Sequence, residues 1–240
     1  MPLPKISTPT YELEIPSTGK KIKYRPFLVR EEKILIMALE SEDMKQISNA
    51  IVQILSDCIQ TRGVKVKDLS TFDIEYLFLN VRAKSVGETV EVNITCPDDG
   101  ETTVQMEIDI DSIKVQKDKN HKDTIKLDDS LSMKMKYPSL DQFVENNFEL
   151  AETNNDVNKS LNVITSCIDM IYNEEESWSS ADCSKKELQE FVEQLNTKQF
   201  KEIEEFFSSM PKLSHTVKVK NPNTKVESEV VLEGLASFFS

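Results

Sequence analysis

The order of hydrophobic patterns along the chain predicts an α+β fold. An alternating hairpin opens the sequence, helical stretches follow, alternating strands occupy the middle, and further helices precede a last hairpin. Helices and antiparallel strands that are segregated in this way are typical of α+β domains. We predict three segments: a hairpin with helices over 1–88, a β-rich hairpin segment over 89–138, and a helical segment closed by a C-terminal hairpin over 139–240. One integrated domain is the alternative.

The first segment shows a change of period from two to about 3.6 residues. Two alternating stretches flank the turn residues Pro16-Ser-Thr-Gly19, which predicts a β-hairpin. Apolar residues then recur at helical spacing. A third helix is expected to begin at Ser70 or Thr71, whose hydroxyls can cap free amides, and to stop at Gly87. The predicted elements are strands over 11–15 and 20–24 and helices over about 30–41, 44–59 and 71–84.

The remaining segments are assigned by the same rules. Alternation indicates strands, stepped spacing indicates helices, and the acidic stretch 173–180 is expected to be a loop. Ser184 stands three residues before Glu187, a pairing typical of a capping box at a helix start. The predicted elements are strands over 89–94, 104–108, 125–127 and 131–135, helices over 140–151, 157–171, 184–195 and 197–207, and strands over 215–220 and 225–233.

One short pattern occurs twice. Val92-Asn-Ile-Thr-Cys-Pro97 and Val217-Lys-Val-Lys-Asn-Pro222 share the form V-x-[I/V]-x-[C/N]-P, and a polar turn and a returning strand follow each copy. Proline keeps the residue before it extended. We therefore predict two similar hairpins, reminiscent of the knuckles of a zinc ribbon without the metal.

Zinc ligation is the first chemistry to consider at these hairpins. A structural zinc site uses four Cys or His ligands, usually supplied as two close pairs. Cys96 has no cysteine close by, and Asn221 stands where the second hairpin would need one. The weak candidates are Cys96 and the only two histidines, His121 and His215. We predict an ordinary hairpin with an Asp-Gly turn, no metal and no cofactor.

Composition excludes several classes of function. The net charge of -13 opposes contact with nucleic-acid phosphates. No apolar run reaches the roughly 20 residues that span a bilayer, and the N-terminus does not resemble a secretion signal, so we expect a soluble intracellular protein. The sequence has no G-x-S-x-G motif, and its 5 glycines are too scattered for a phosphate-binding loop. We predict that it is not an enzyme.

Candidate contact residues lie at the ends of predicted elements. Apolar residues surround nearly the whole third helix, so it is buried either within its own domain or against a partner. Its last turn carries two cations, which either compensate the helix dipole or recognise a partner. The apolar tail is either tucked into the core or docked on a neighbour. The predicted partner-binding residues are Arg82, Lys84, Phe238, Phe239, Lys20, Lys21, Lys23 and Arg25.

Several stretches resemble a known family. They are PSTGKKIKYRPFLV (16–29), EKIL (32–35), FDIEYLFLNVRAKSVGE (72–88), TCP (95–97), MKYP (135–138) and GLASFF (234–239). They are similar to the baseplate protein family of T-even (T4-like) contractile-tailed bacteriophages. Some members of that family resemble zinc ribbons in carrying cysteine pairs in the two hairpins, and this sequence departs from them at Asp99, Gly100 and Asn221.

The resemblance implies a place in the virion, in the tail baseplate of a phage made in the bacterial host cytoplasm. It implies other baseplate hub or tail proteins as partners and transfers no catalytic residue. The main hypothesis is a non-enzymatic structural or assembly protein, a baseplate hub subunit. A transient hub assembly chaperone that is absent from the mature virion is the first alternative. A zinc-binding enzyme or regulator is the alternative from another class.

Overall fold

The computed structural model describes residues 6–140 and 156–238. Contacts divide the chain into two compact units, Met1–Gln116 with Lys212–Ser240 and Lys117–Pro211. Helices and small antiparallel sheets make up both units, which confirms the predicted α+β class. In chain order the elements are β1 (Tyr11–Glu14), β2 (Lys21–Tyr24), α1 (Val29–Glu40), α2 (Met44–Cys58), α3 (Thr71–Val86), β3 (Thr89–Thr95), β4 (Thr103–Asp109), β5 (Lys114–Gln116), β6 (Thr124–Lys126), β7 (Ser132–Met135), α4 (Asp156–Ser166), β8 (Ile168–Tyr172), β9 (Ser177–Ser179), α5 (Lys185–Glu193), α6 (Thr197–Ser209), β10 (Lys212–Lys220) and β11 (Glu227–Glu233).

The first unit joins the two ends of the chain through a three-stranded sheet. β10 pairs with β11 along its length and with β5 on its other side, so the strand order is β11-β10-β5. The other sheets of this unit are the hairpins β1-β2 and β3-β4. The division into units cuts across the three segments predicted from the sequence, because the C-terminal hairpin pairs with a strand of the N-terminal unit.

Helix α3 forms the centre of the first unit. Nine of its residues are buried, on all sides of the helix, so its apolar circumference is covered within its own unit. Leu79 and Ala83 belong to the same apolar cluster as the inward-facing residues of β3 and β10. In β3 these are Val90, Val92 and Ile94, and the outward residues between them are exposed, as expected for a strand with one buried face.

A buried carboxylate fixes the start of α3. Asp73 is wholly buried, and its Oδ1 accepts the backbone N–H of Ser17 at 2.9 Å. Its other oxygen accepts the hydroxyl of Ser70, the residue that precedes the helix. An acidic side chain in the first turn also complements the positive end of the helix dipole. Asp73 therefore ties the helix to the turn of the first hairpin.

The second unit contains a four-stranded antiparallel sheet of order β6-β7-β8-β9. Its core includes Met133 of β7, Ile168 of β8 and Ile203 of α6, each of them wholly buried. The predicted capping box is confirmed at α5, where Ser184 and Glu187 bond to each other's backbone. Asn196 caps α6 in the same manner.

Two predicted elements of this unit are wrong. The helix predicted over 157–171 ends at Ser166, and the residues from Ile168 onward form strand β8 between β7 and β9. The buried isoleucines Ile168 and Ile171 are three residues apart, a spacing that suggested a helix, but the sheet pairs this stretch on both sides. The acidic stretch expected to be a loop contains the short strand β9. The helix predicted over 140–151 lies outside the described residues, apart from Leu140.

Candidate functional site

The two repeated patterns form two similar hairpins, as predicted. Each first strand ends in an X-Pro step, and the residue before the proline accepts a backbone hydrogen bond from the fourth residue after it. The N–H of Gly100 donates to the backbone carbonyl of Cys96 at 2.9 Å, and the N–H of Lys225 donates to the backbone carbonyl of Asn221 at 3.0 Å. Gly100 and Lys225 both have left-handed backbones, with φ of 69° and 67°. The same turn is therefore built twice.

The turns of the two hairpins meet through the side chain of Asn221. This residue is wholly buried, and its amide nitrogen lies 3.1 Å from both carboxylate oxygens of Asp98 and 2.8 Å from Oδ2 of Asp99. Its amide oxygen accepts the backbone N–H groups of Asn223 and Thr224 at 2.8 and 3.3 Å. Both ends of the buried amide are thus hydrogen-bonded. A polar group that has its hydrogen bonds can be buried without a large loss of folding free energy.

Three further side chains complete this network. The hydroxyl of Thr224 donates to Asp98, the amide of Asn223 donates to the hydroxyl of Thr102 at 3.0 Å, and that hydroxyl donates to Asp99. We call the set the hairpin clasp. Its members are Asp98, Asp99, Thr102, Asn221, Asn223 and Thr224. It joins two turns that are more than 120 residues apart in the sequence.

The hydrogen bonds of the hairpin clasp hold its carboxylates in the ionised form. The Thr224 hydroxyl, and then the Asn221 amide, lower the pKa of Asp98 below its usual value. The Thr102 hydroxyl and the backbone N–H groups beside it lower that of Asp99. Cys96 is wholly buried next to the turn, and burial together with the two nearby carboxylates raises the pKa of its thiol. The cysteine therefore remains protonated at neutral pH.

The weak metal candidates occupy separate settings. Cys96 lies beside the hairpin clasp, and His215 lies on β10 opposite Leu232 of β11. His121 belongs to the second unit, where its ring centroid lies 5.6 Å from Tyr137 and its Nδ1 lies 2.9 Å from the Ser209 hydroxyl. Among residues 6–140 and 156–238, no group of three or more His, Cys, Asp or Glu side chains is arranged to hold a metal ion.

The basic residues predicted on the first hairpin fall into two environments. Lys20, Lys21 and Lys23 are exposed, and the Lys23 ammonium lies 3.6 Å from the Glu12 carboxylate on the neighbouring strand. Arg25 is buried with 8% of its surface exposed. The three lysines thus lie on the surface of the unit, while Arg25 lies in its interior.

Arg25 is part of a buried ion pair. Its guanidinium donates to Glu31 Oε1 at 2.9 Å and to the carbonyl of Pro26 at 2.9 Å. Glu31 also accepts Nε of Arg30 at 2.6 Å and the backbone N–H of Leu28 at 2.7 Å. Burial opposes the charged form of Glu31, but these hydrogen bonds outweigh it and lower the pKa to about 2.

Lys84, one of the predicted cations at the end of α3, lies near the first hairpin. The Lys84 ammonium pairs with Glu88 and lies 5.9 Å from the centroid of the Tyr11 ring on β1. Arg82 is half-buried, and burial lowers the pKa of its guanidinium. The structure thus brings Lys84 to the hairpin that carries the three exposed lysines.

The apolar tail turns inward at Phe238. This side chain is wholly buried in the cluster that includes Leu79 and the inward faces of β3 and β10. A short 3-10 helix, Leu235–Phe238, brings it there. Of the two predicted positions for the tail, the core is therefore the one that Phe238 occupies. Phe239 lies outside the described residues.

A comparison with protein families gives one match. Residues 8–240 match the family model described as T4 bacteriophage base plate protein, which covers nearly the whole chain. The chain belongs to this family. No curated protein and no solved structure gives a significant match. The resemblance noted in the sequence is confirmed, and a baseplate protein is expected to interact with other phage proteins. None of its described helices has the length and apolar character needed to cross a membrane.

Sequence reasoning missed the hairpin clasp of this baseplate protein, although a signal for it is present. Alignment of the two repeated patterns places Cys96-x-x-Asp99 on Asn221-x-x-Thr224. These are the positions at which a zinc ribbon carries its paired cysteines, and three of the four are hydrogen-bonding residues here. The pattern predicted the two hairpins, and the polar residues at the knuckle positions indicate how the turns bind each other.

Proposed function

We propose that this baseplate protein is a non-enzymatic structural subunit of the baseplate hub in a contractile phage tail. The observation that carries the proposal is the family match over residues 8–240. In this role the protein is made in the bacterial cytoplasm and is incorporated into the virion through contacts with other hub or tail proteins. Nucleic acid is not a partner, because the net charge of -13 opposes binding to phosphates.

The surface of the first unit supports the proposal. Lys20, Lys21 and Lys23 stand exposed on one short hairpin, and Lys84 lies beside it. The three hairpin lysines are proposed to contact an acidic patch on a neighbouring subunit. Lys84 approaches the other face of the hairpin, because Tyr11 pairs with the buried Tyr24. Opposite charges at an interface mainly raise the association rate and fix the orientation of the partners.

The composition of purified virions tests the proposal. Phage are grown with the protein carrying a small affinity tag, mature particles are purified on a density gradient, and the protein is quantified by mass spectrometry against the other tail proteins. We expect a fixed number of copies per tail. Untagged phage are the control for carry-over of free protein from the lysate.

A different result would assign a different role. If the protein is required for tail assembly but absent from mature particles, it acts as a hub assembly chaperone, and the proposal of a resident subunit fails. If the purified protein contains stoichiometric zinc that Cys96→Ser removes, the hairpins hold a metal and the zinc-binding alternative is favoured.

A further inference from the structure

We infer that the solvent side of helix α1 is the docking site for an amphipathic helix of a basic baseplate partner. The inference rests on the proposed function, because it names the kind of partner that a hub subunit would bind. We define the α1 face as Val29, Ile36 and Met37 with the flanking Leu28 and Leu39. It lies within the first unit and contains none of the residues discussed above as metal candidates.

The geometry of α1 points its apolar residues away from the unit. The helix packs against α2, and its buried residues, Glu31 and Ala38, are two turns apart on one side. Val29 and Ile36 precede them by two positions, a rotation of roughly 200°, so they lie on the opposite side of the helix. Val29 is 80% exposed, Ile36 49% and Met37 59%. Side chains of this kind in adjacent turns are typical of a binding surface.

An apolar groove continues the α1 face beyond its N-terminal end. The groove has a volume of about 520 Å³ and is lined in part by Ile6, Phe27, Leu28 and Val29. Ile6 is 92% exposed beside it. Together, the groove and the exposed apolar side chains of α1 form a track longer than the 12 residues of α1, with Lys33 midway along it. A long apolar surface of this kind fits a partner helix that has apolar residues at i, i+3, i+4 and i+7.

The charges at the C-terminal end of the α1 face favour a basic partner. Glu40 and Glu42 are exposed at the C-terminal end of α1, and no basic residue occupies the last turn of the helix. Carboxylates at this negative end of a helix dipole are unfavourable, so cations of a partner would be attracted there. Lys33 lies midway along the same face, and Arg30 and Glu32, of opposite charge, both line the groove at the other end. The net negative charge therefore lies at the C-terminal end and gives the bound helix a direction. Lys or Arg of the partner would lie over Glu40 and Glu42.

Self-association fits the α1 face less well than a different protein does. Each copy of the chain carries a net charge of -13, so two copies repel each other as they approach. A basic partner gains from the same charge. The proposed partner is therefore a different baseplate protein with a basic amphipathic helix.

Binding measurements with purified hub proteins of the same phage test the inference. Each hub protein is produced separately and titrated by calorimetry against the wild-type protein and the double variant Ile36→Gln/Met37→Gln. Glutamine is a good helix former, and about half of each replaced side chain is exposed to solvent. The variant is therefore expected to melt like the wild type. We expect one basic hub protein to bind the wild type and to bind the double variant about tenfold or more weakly. Val231→Gln, which replaces a side chain 56% exposed on β11, is the matched control and should bind normally.

Reversing the charge at the C-terminal end of α1 provides a second test. The variant Glu40→Lys/Glu42→Lys should bind the same hub protein more weakly, and its affinity should depend less on salt than that of the wild type. If a hub protein binds the wild type and the double variant equally, the α1 face is not the docking site, although the proposed function stands. If no hub protein binds the wild type, the proposed function itself fails. If the wild type forms a dimer that the double variant loses, as measured by sedimentation, the occupant is a second copy and the inference of a basic partner is wrong.

Discussion

Replacing Glu75 by glutamine should remove a loss of stability that the baseplate protein shows between about pH 5 and pH 8. Glu75 lies on α3, and its Oε1 accepts the backbone N–H of Leu235 at 3.1 Å. Burial raises the pKa of this carboxyl from 4.5 to about 7, and the single hydrogen bond from Leu235 lowers it only in part. Glutamine keeps an oxygen that can accept this N–H but cannot ionise.

The size of the effect follows from the two pKa values. In the unfolded chain Glu75 loses its proton near pH 4.5, whereas the folded protein keeps it up to about pH 7. The folded state therefore binds more protons in this window, and the free energy of unfolding falls as the pH rises through it. The raised pKa corresponds to about 3 kcal/mol of the free energy of unfolding. This stability is fully present below pH 4.5 and is lost as the pH rises to about 7 and above.

Urea unfolding at constant ionic strength, from about pH 5 to pH 8, measures this effect. The wild type should lose about 2–3 kcal/mol across this range relative to Glu75→Gln, because a small part of the full effect is already lost at pH 5. Any constant cost of burying the glutamine amide cancels, because the comparison is between pH dependences. Glu107→Gln replaces an exposed glutamate on β4 and should follow the wild type. Parallel curves for the wild type and Glu75→Gln would refute the reasoning.

Three other substitutions test the interior of the first unit by urea or thermal unfolding. Asn221→Ala should cost about 1–3 kcal/mol, because it leaves clasp partners unsatisfied, and the exposed Asn223→Ala should cost less; equal costs would contradict a central role for Asn221. Glu31→Gln leaves the charge of Arg25 buried and should cost about 3 kcal/mol, so an unchanged midpoint would argue against the ion pair. Phe238→Ala should cost about 3–5 kcal/mol, and normal melting would place the tail outside the core.

Local sequence signals predicted most of the elements because their causes are local. Helix α3 begins after a serine and ends before Gly87, and α5 begins at a capping box, all within a few residues. Strand β8 could not be assigned in this way. Its two buried isoleucines fit helical spacing, and the pairing with β7 and β9 that makes the stretch a strand involves residues elsewhere in the chain. Tertiary context overrides local preference in such stretches.

The interior polar groups depend on contacts that no local pattern contains. The repeated X-Pro pattern predicted two hairpins, but the contact between Asn221 and Asp98 spans 123 residues and exists only once the turns meet. Arg25 follows a row of exposed lysines in the sequence, yet it is buried because Glu31, on the next helix, provides its counter-ion. Composition can indicate a charged hairpin, but only the fold decides which of its charges are covered.

Two groups of carboxyls give the stability of the first unit opposite pH dependences. Their contributions to the free energy of unfolding can therefore be measured separately. The pKa of Glu31 is lowered to about 2, so its contribution to stability is present above pH 4.5 and is lost as the pH falls towards 2. Asp98 and Asp99, whose pKa values are also lowered, act in the same direction, whereas Glu75 destabilises on the neutral side. We expect Glu75→Gln to flatten the neutral side of the unfolding profile and to leave the acid side unchanged. A shift of the acid side in this variant would mean that Glu75 is coupled to the hairpin clasp or to the buried ion pair, and the pKa values could then not be treated as independent.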